Sequence, residues 1–465
     1  MKKCFKNLVP VLILIFTLTA LLSGCGGQKP PSTDAASQTQ PAAEKKPEEV
    51  KKDVLIKFYT ESDEATNANR KYPEFIEAYQ KNNPGVKIEM APLVANFNYD
   101  EYAKKVNIMV SAGEQIDLIK SATLAEVSTK AQSGVLEPLD GYAAKEGIVL
   151  EDEYGGIISI DNKTYAITEQ LTNWLVFINK DMLDAANLPV PARDWTWSDY
   201  REYAKKMTKG EGANKVYGSY MHNWEWFFAI GIQSKVMDNP YFTPDGKLGF
   251  DNPIFRDGMQ FRYDLENVDK CQVPYIDIAS QKLAYRNVFF SGKAGMTIMG
   301  AWMISDIQLL DKYPHTFKTT FATFPRWDES CKPNTSAADG AGCGWSVNAK
   351  SKNKDEAYKF LRALTSDGLE YGHKLWSAWK KTDAEATIKT IAGEDQSLYD
   401  LEALKAVLFD PEKVENRYTY AGPGQTEVLD VYIQENESYL TGGQSLDKTL
   451  ENIKKRSEDI VSKAK

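Results

Sequence analysis

The sequence predicts an α/β protein whose chain is shared between two hydrophobic cores, and three observations carry that expectation. Apolar runs of strand type alternate with segments whose apolar residues recur at helical spacing, a pattern that builds largely parallel sheets covered by helices. At 465 residues the chain exceeds the length at which one core usually splits. Its hydrophobic fraction of 42% is ample for packed interiors.

The elements follow from the N-terminus. Lys2, Lys3 and Lys6 precede an apolar run at residues 8–22, and Ser23-Gly24-Cys25 comes next. Charged, apolar and small regions in that order form a secretory signal, expected at residues 1–24. The apolar run is shorter than the ~20 residues of a spanning helix. "LLSGC" matches the lipobox of bacterial lipoproteins, in which cleavage before the cysteine leaves Cys25 acylated. Residues 25–52 are dominated by Gly, Pro, Ser, Thr, Gln, Ala, Lys and Glu. They bury too little to offset their ordering entropy, so a disordered tether is expected there. No later segment is apolar for long enough to cross a bilayer.

"VLIKFYT" (residues 54–60) reads as a buried strand. "YPEFIEAYQKNNPG" places Tyr72, Phe75, Ile76 and Tyr79 on one helix face and stops at Asn83-Pro84-Gly85. "VKIEMAPL" reads as a second strand, "EYAKKVNIMVSAG" as a helix ending at Gly113, and "IDLIK" as a third strand. "TWSDYREYAKKM" opens with Thr196 and Asp199 in capping-box spacing. "SKNKDEAYKFLRALTS" repeats that logic with Asn353 and Glu356.

Several of these blocks are similar to the bacterial extracellular solute-binding proteins of family 1, the maltose-binding-protein-like receptors of sugar-importing ABC transporters. "FIEAYQKNNPGVKIE", "GEQIDLI" and "GVLEPLDGY" resemble the opening of that family. "NKTYAITEQLTNWLVFINKDML" with "WTWSDY", then "FFSGKAGMTIMGAW" and "SVNAKSKNKDEAYKFLRALTS", complete the order. Where the family has Pro after its "YA" step, this chain has Ile167-Thr168. The resemblance implies a two-lobe, Venus-flytrap fold with a ligand cleft between the lobes. The first lobe would take residues 53–170 and about 340–411, and the second 171–339 and about 412–465. It further implies a monomeric sugar receptor on the extracytoplasmic face, partnered by a permease and its ATPase and held to the membrane through Cys25.

Gly292-Lys293 invites a phosphate-loop reading. The GxxxxGK[ST] spacing is absent, since Ala294 follows the lysine and no glycine stands five residues before Gly292. In the family pattern these residues turn into the strand "AGMTIMG", and Trp302 opens the next helix with its ring toward the ligand. An indole offers a flat apolar face to the C–H side of a sugar ring, while the hydroxyls need oriented polar groups. Such groups stand at segment ends: Glu61 and Asp63, Ser121 and Thr123, then Glu169, Thr172, Asn173 and Trp174. Asp339, Trp345, Tyr418 and Tyr420 complete the candidate ligand set with Trp302. Trp345 is either a platform or repacked core. Trp195, Trp197, Trp376 and Trp379 are expected to pack, as are Trp224 and Trp226 in an apolar helix.

Other classes are disfavoured. The net charge of −9 argues against nucleic acid as partner. HExxH, GxSxG and GxGxxG are absent. Three scattered histidines, His222, His315 and His373, make no metal cluster, and no cofactor or metal is expected. Cys331 and Cys343 are spaced to bridge a loop. A secreted carbohydrate hydrolase remains the rival reading, since it needs only two carboxylates flanking a sugar.

Overall fold

The structure is a computed structural model and describes residues 53–464 except 96, 171–172, 338–343, 367, 369–376, 394 and 417–419. Its first five strands are β1 (Val54–Thr60), β2 (Val86–Pro92), β3 (Leu118–Ser121), β4 (Ile157–Ile160) and β5 (Lys163–Thr168). Then come β6 (Trp174–Asn179), β7 (Tyr217–Tyr220), β8 (Ala294–Gly300), β9 (Thr319–Ala322), β10 (Thr335–Ala337), β11 (Gly344–Val347) and β12 (Val414–Asn416).

Two main sheets result. The first has the order β2-β1-β3-β11-β5-β4 and the second β7-β8-β6-β9, while β10 and β12 form a small parallel pair. The sheets are mixed rather than largely parallel. β1 runs parallel to β2 and β3, and β7 to β8. β11 is antiparallel to both of its neighbours, and β6 to both of its own. The physical reason is connectivity. β11 enters the first sheet from the second lobe, so it arrives from the opposite end. β4 and β5 form a hairpin whose Asp161 and Asn162 both take positive φ, the turn type that matches strand twist.

Side-chain alternation along β3 shows how the first sheet is covered. Leu118 joins Ile56, Phe58, Trp345 and Phe360 on one face. Ile119 joins Val106, Ile116 and Val127 on the other. Both faces are buried, which is why these strands read as continuous apolar runs. The helix Tyr72–Asn82 buries Tyr72 and Phe75. The helix Tyr99–Ala112 ends at Gly113, whose φ of 74° accepts the left-handed cap. Thr196 and Asp199 form the reciprocal capping box on the helix Trp197–Met207. Asn353 makes no such cap; its side-chain amide instead donates to the Leu55 carbonyl of β1 at 3.0 Å.

The second lobe has one continuous core around β6 and β8. The chain also returns to it earlier than about residue 412. The helices Ala384–Ala392 and Leu401–Leu408 bury Ile388, Ile391, Leu404, Val407 and Leu408 in that core. Trp379 still packs on the first core, so the last crossing lies between these residues. The apolar face of the two helices matches either core, and periodicity alone does not choose between them. Among the described residues no helix is long and apolar enough to cross a membrane.

Candidate functional site

In the first lobe, strand register assembles a polar cluster at the C-terminal ends of β1, β3 and β5. Trp345 of β11 lies directly opposite Lys120 of β3 and Ile167 of β5. Glu61 follows β1 and Glu169 follows β5, so both carboxylates converge on the end of Lys120. The ammonium contacts Glu61 Oε1 at 2.9 Å and Glu169 Oε1 at 2.8 Å. It also lies 4.9 Å above the Trp345 ring, a cation–π contact. Lys120, Glu61 and Glu169 are all buried, at 1%, 1% and 0% exposure. Charges this enclosed persist only when paired.

The two carboxylates differ in how fully they are paired. Glu169 Oε2 accepts from Tyr72 Oη at 2.8 Å and Trp345 Nε1 at 3.0 Å, so both of its oxygens are engaged. Burial alone would raise its pKa. The Lys120 and Arg70 charges and the hydrogen bonds from Lys120 and Trp345 overcome that, holding the carboxyl at about 2. Glu61 Oε1 accepts from Lys120, from Tyr99 Oη at 3.3 Å and, at 3.5 Å, from Arg70. Glu61 Oε2 is buried and has no hydrogen-bond partner among the described residues. Both carboxylates share the one Lys120 ammonium.

In the second lobe the end of β8 carries an aromatic surface. Gly300 pairs with Trp174 of β6, and the next turn is a 3-10 helix, Ala301–Gln308. Trp302 folds back over Gly300. Its Nε1 donates to Tyr285 Oη at 3.1 Å, and its ring meets Trp174 edge-to-face at 5.0 Å. Trp302 and Trp224 are half-buried and lie 6.1 Å apart. Trp174 beneath them is 2% exposed. Trp224 is not in an α-helix; only a 3-10 turn, Glu225–Phe227, forms there.

The segment bearing Trp224 is held by a buried ion pair. Arg262, at 0% exposure, is paired with Glu266 and donates to the carbonyls of Met221, His222 and Phe227. His222 contacts Tyr220 Oη through Nδ1 at 2.8 Å. Burial, with the Arg262 and Arg286 charges, pushes its pKa down to about 4. The lobes also feel each other's charges. Hydrogen bonds from Thr66 hold the Asp63 carboxyl below its ordinary value, with a smaller contribution from the Lys312 charge, while burial raises that of Asp306 against the opposing Arg286, Lys312 and Arg70 charges.

The remaining candidates fall into distinct places. Asp63 caps the helix Glu64–Asn69 through Thr66 N, and Thr123 caps Leu124–Gln132 through Glu126 N. Ser121 Oγ receives Lys130 Nζ at 3.1 Å. Trp345 is 0% exposed and offers no face for stacking in this conformation; it is part of the core and a donor to Glu169. Asn173 accepts from Lys413 Nζ at 2.8 Å through Oδ1. Tyr420 donates to the Phe242 carbonyl at 2.9 Å, which anchors it to its own lobe. Trp195 and Trp197 are buried at 4% and 1%. Cys25, Thr172, Asp339, Cys343, Tyr418, His373 and Trp376 lie outside the described residues. Among the described residues no cluster of His, Cys, Asp and Glu could hold a metal ion.

Arg70, Tyr285 and Arg262 were not in the candidate ligand set, whereas Lys120 stands with Ser121 and Thr123 after "IDLI" among the polar groups the sequence offers. Lys120 did carry a signal: a lysine closing the otherwise buried run "IDLIK" must find a carboxylate partner. Tyr285 and Arg262 carried none: the i,i+4 spacing of Arg262 and Glu266 is equally that of an exposed helical pair, and Trp302 lies seventeen positions beyond Tyr285.

Residues 64–371 match the family model described as bacterial extracellular solute-binding protein. The chain belongs to that family. A Brucella abortus chain described only as a binding protein is 24% identical over 410 residues, covering 84% of this chain and 90% of that one. The fold is shared with a sugar transporter from Rhizobium etli in an open conformation, at a TM-score of 0.69 and 23% identity, covering 86% of this chain and 98% of the other. It is shared too with the maltose/maltodextrin-binding domain of Bdellovibrio bacteriovorus bound to maltotriose, at 0.66 and 19%, covering 87% and 99%. The family and these neighbours are binding proteins rather than enzymes.

Proposed function

We propose that this protein captures a sugar or oligosaccharide in the cleft between its lobes and delivers it to the permease and ATPase of an ABC importer. Acyl chains on Cys25 hold it, as a monomer, at the extracytoplasmic face of the membrane. The observation that supports this reading best is the half-exposed pair of indoles, Trp302 and Trp224, at the end of β8. They offer an apolar face for the C–H side of a sugar ring. Glu61 and Asp63 on the first lobe suit its hydroxyls, and Thr172, Asp339 and Tyr418 belong to the proposed ligand set on the family resemblance.

Ligand that prefers the closed lobes drives closure, and the closed form is what the permease reads. Micromolar affinity requires about 8 kcal/mol, within reach of stacked rings and paired hydroxyls. The neighbours with described ligands include proteins bound to maltotriose and to cycloalternan. A thermal-shift screen over mono- and oligosaccharides, with product analysis, tests the reading. The expected result is stabilisation by at least one sugar with no product released. Shorter products would identify a hydrolase instead, and an absence of any shift would overturn the sugar assignment.

A further inference from the structure

We infer that a groove at the far end of the second lobe's sheet, flanked by Lys215 and Lys293, is a second binding site, for a small organic monoanion with an apolar body. It is separate from the cleft. β8 runs from Ala294, next to the groove, to Gly300, over which Trp302 folds. A strand of that length spans about 20 Å. The groove measures about 420 Å³, within the range of small-molecule sites.

Local structure builds the groove. After the helix Tyr285–Phe290, Gly292 at φ 70° turns the chain into β8. Gly292 N donates to the Phe289 carbonyl at 2.9 Å, and Lys293 N to that of Val288 at 3.1 Å. The Gly292-Lys293 pair, which lacks phosphate-loop spacing, is thus the turn at the groove's edge. Tyr217 N donates to the Lys293 carbonyl at 3.0 Å, and Tyr217 stands opposite Ala294 in the parallel pair β7–β8. Lys215, just before Tyr217, therefore stands at the same edge as Lys293. The helices Tyr275–Gln281 and Tyr285–Phe290 supply the other wall, with Asp277 from the first and Asn287 from the second.

The lining selects the ligand class. Val273 and Val288 are buried, and Leu283 and Tyr217 pack on the same core, so the groove offers apolar contact. The Lys215 ammonium lies 4.8 Å from the centre of the Tyr217 ring, a cation–π contact that steadies it. Among the described residues, neither the Lys215 nor the Lys293 ammonium has an ion pair or a hydrogen bond. Asp277 supplies the opposing charge in the lining, and it accepts from Gln281 at 3.5 Å. Two ammoniums against one carboxylate leave a single positive charge in surplus. One carboxylate on a ligand balances it. A phosphate dianion exceeds it and brings no apolar body to the valines and Leu283, and a cation meets both ammoniums.

Ligand-observed saturation-transfer NMR tests this on the intact protein. Benzoate and hexanoate serve as apolar monoanions, benzyl alcohol as a neutral counterpart, and inorganic phosphate as an anion without an apolar body. The variants are Lys215→Gln, Lys293→Gln, the two combined, and Trp302→Ala, with melting temperatures as folding controls. Benzoate or hexanoate should bind the wild type and Trp302→Ala alike, and more tightly than benzyl alcohol or phosphate. Each lysine substitution should weaken that binding about two- to five-fold, as for exposed charge pairs, and the two together about five- to twenty-five-fold. Melting temperatures of the lysine variants should not change. The inference fails if neither acid binds, if benzyl alcohol or phosphate binds as tightly, or if the double variant keeps full affinity. Loss of both acids in folded Trp302→Ala would place them in the cleft and also overturn it.

Discussion

The indole of Trp302 occupies the space that a side chain on Gly300 would need: a Cβ there would come within 2.1 Å of Trp302 Cζ3. Gly300 itself has φ −76° and ψ 163°, an extended conformation open to any residue. The glycine is therefore required by the ring and not by the backbone. Gly300→Ala should push the indole off β8 while leaving the strand intact. Tryptophan fluorescence should shift and ligand affinity should fall, with only a modest loss in melting temperature. Unchanged fluorescence and affinity would show that the ring has another seat.

Trp302→Ala tests the platform directly. Stacking of a flat ligand on an aromatic ring is worth on the order of 1–3 kcal/mol, so affinity should drop roughly 5- to 150-fold. Stability should fall as well, because the ring also packs edge-on against Trp174 and is tied to Tyr285. That loss should stay below the ~3–5 kcal/mol typical of a fully buried tryptophan, for which Trp174→Ala is the comparison. Equal losses for the two variants in urea unfolding, with affinity intact, would return Trp302 to the core.

Acid should probe the Glu169 site. Its carboxyl is held at about 2 when folded, below the ordinary value of about 4.3 when unfolded. A depressed acid contributes stability that is present above the unfolded pKa and lost as pH falls through the folded one. The window is therefore roughly pH 4.3 down to 2, and the contribution on the order of 3 kcal/mol. Denaturant melts of the wild type and Glu169→Gln across that range should converge. Parallel curves would contradict the assignment.

His222 works at higher pH. Its folded pKa near 4 lies below the unfolded ~6.5. The unfolded chain therefore takes up the proton first, and stability declines as pH falls from about 6.5 to 4. His222→Gln should flatten the slope over that interval, read from melting temperatures in matched buffers.

Arg262 and Glu266 should behave as a unit. Arg262→Met leaves a buried carboxylate unpaired and should cost about 3–5 kcal/mol. Adding Glu266→Met should recover much of that stability. Ligand affinity should not recover with it, because the carbonyls of Met221, His222 and Phe227 remain without their donor and Trp224 loses its support.

The lipid anchor is testable by mass spectrometry of the membrane fraction. A mature chain should begin at an acylated Cys25. An unmodified N-terminus beyond that residue would refute the anchor.

Much of the architecture was legible in the sequence because it is local. The run "VLIKFYT", the stop at Gly113 and the Thr196–Asp199 box each fix an element within a few residues. Strand direction was not legible, since β11 is antiparallel to β3 only because of where the chain comes from. The site divided along the same line. Glu61 and Glu169 stand out as carboxylates closing apolar strands. That one is saturated and the other half-paired depends on Tyr72, Tyr99 and Trp345, which reach them only after folding. The seating of Trp302 on a glycine, and its tie to Tyr285 some seventeen positions earlier, likewise have no counterpart in spacing or composition.

The placement of β11 between β3 and β5 also sets a clock for synthesis. Val347 pairs with Leu118, so the first sheet lacks an interior strand until the ribosome has made the whole intervening stretch. At ~5–20 residues per second that delay is roughly ten to fifty seconds. During it the nascent first lobe cannot close its sheet, and long-range pairing of this kind is slow in any case. The emerging chain thus completes the interior of its first sheet only late in its synthesis.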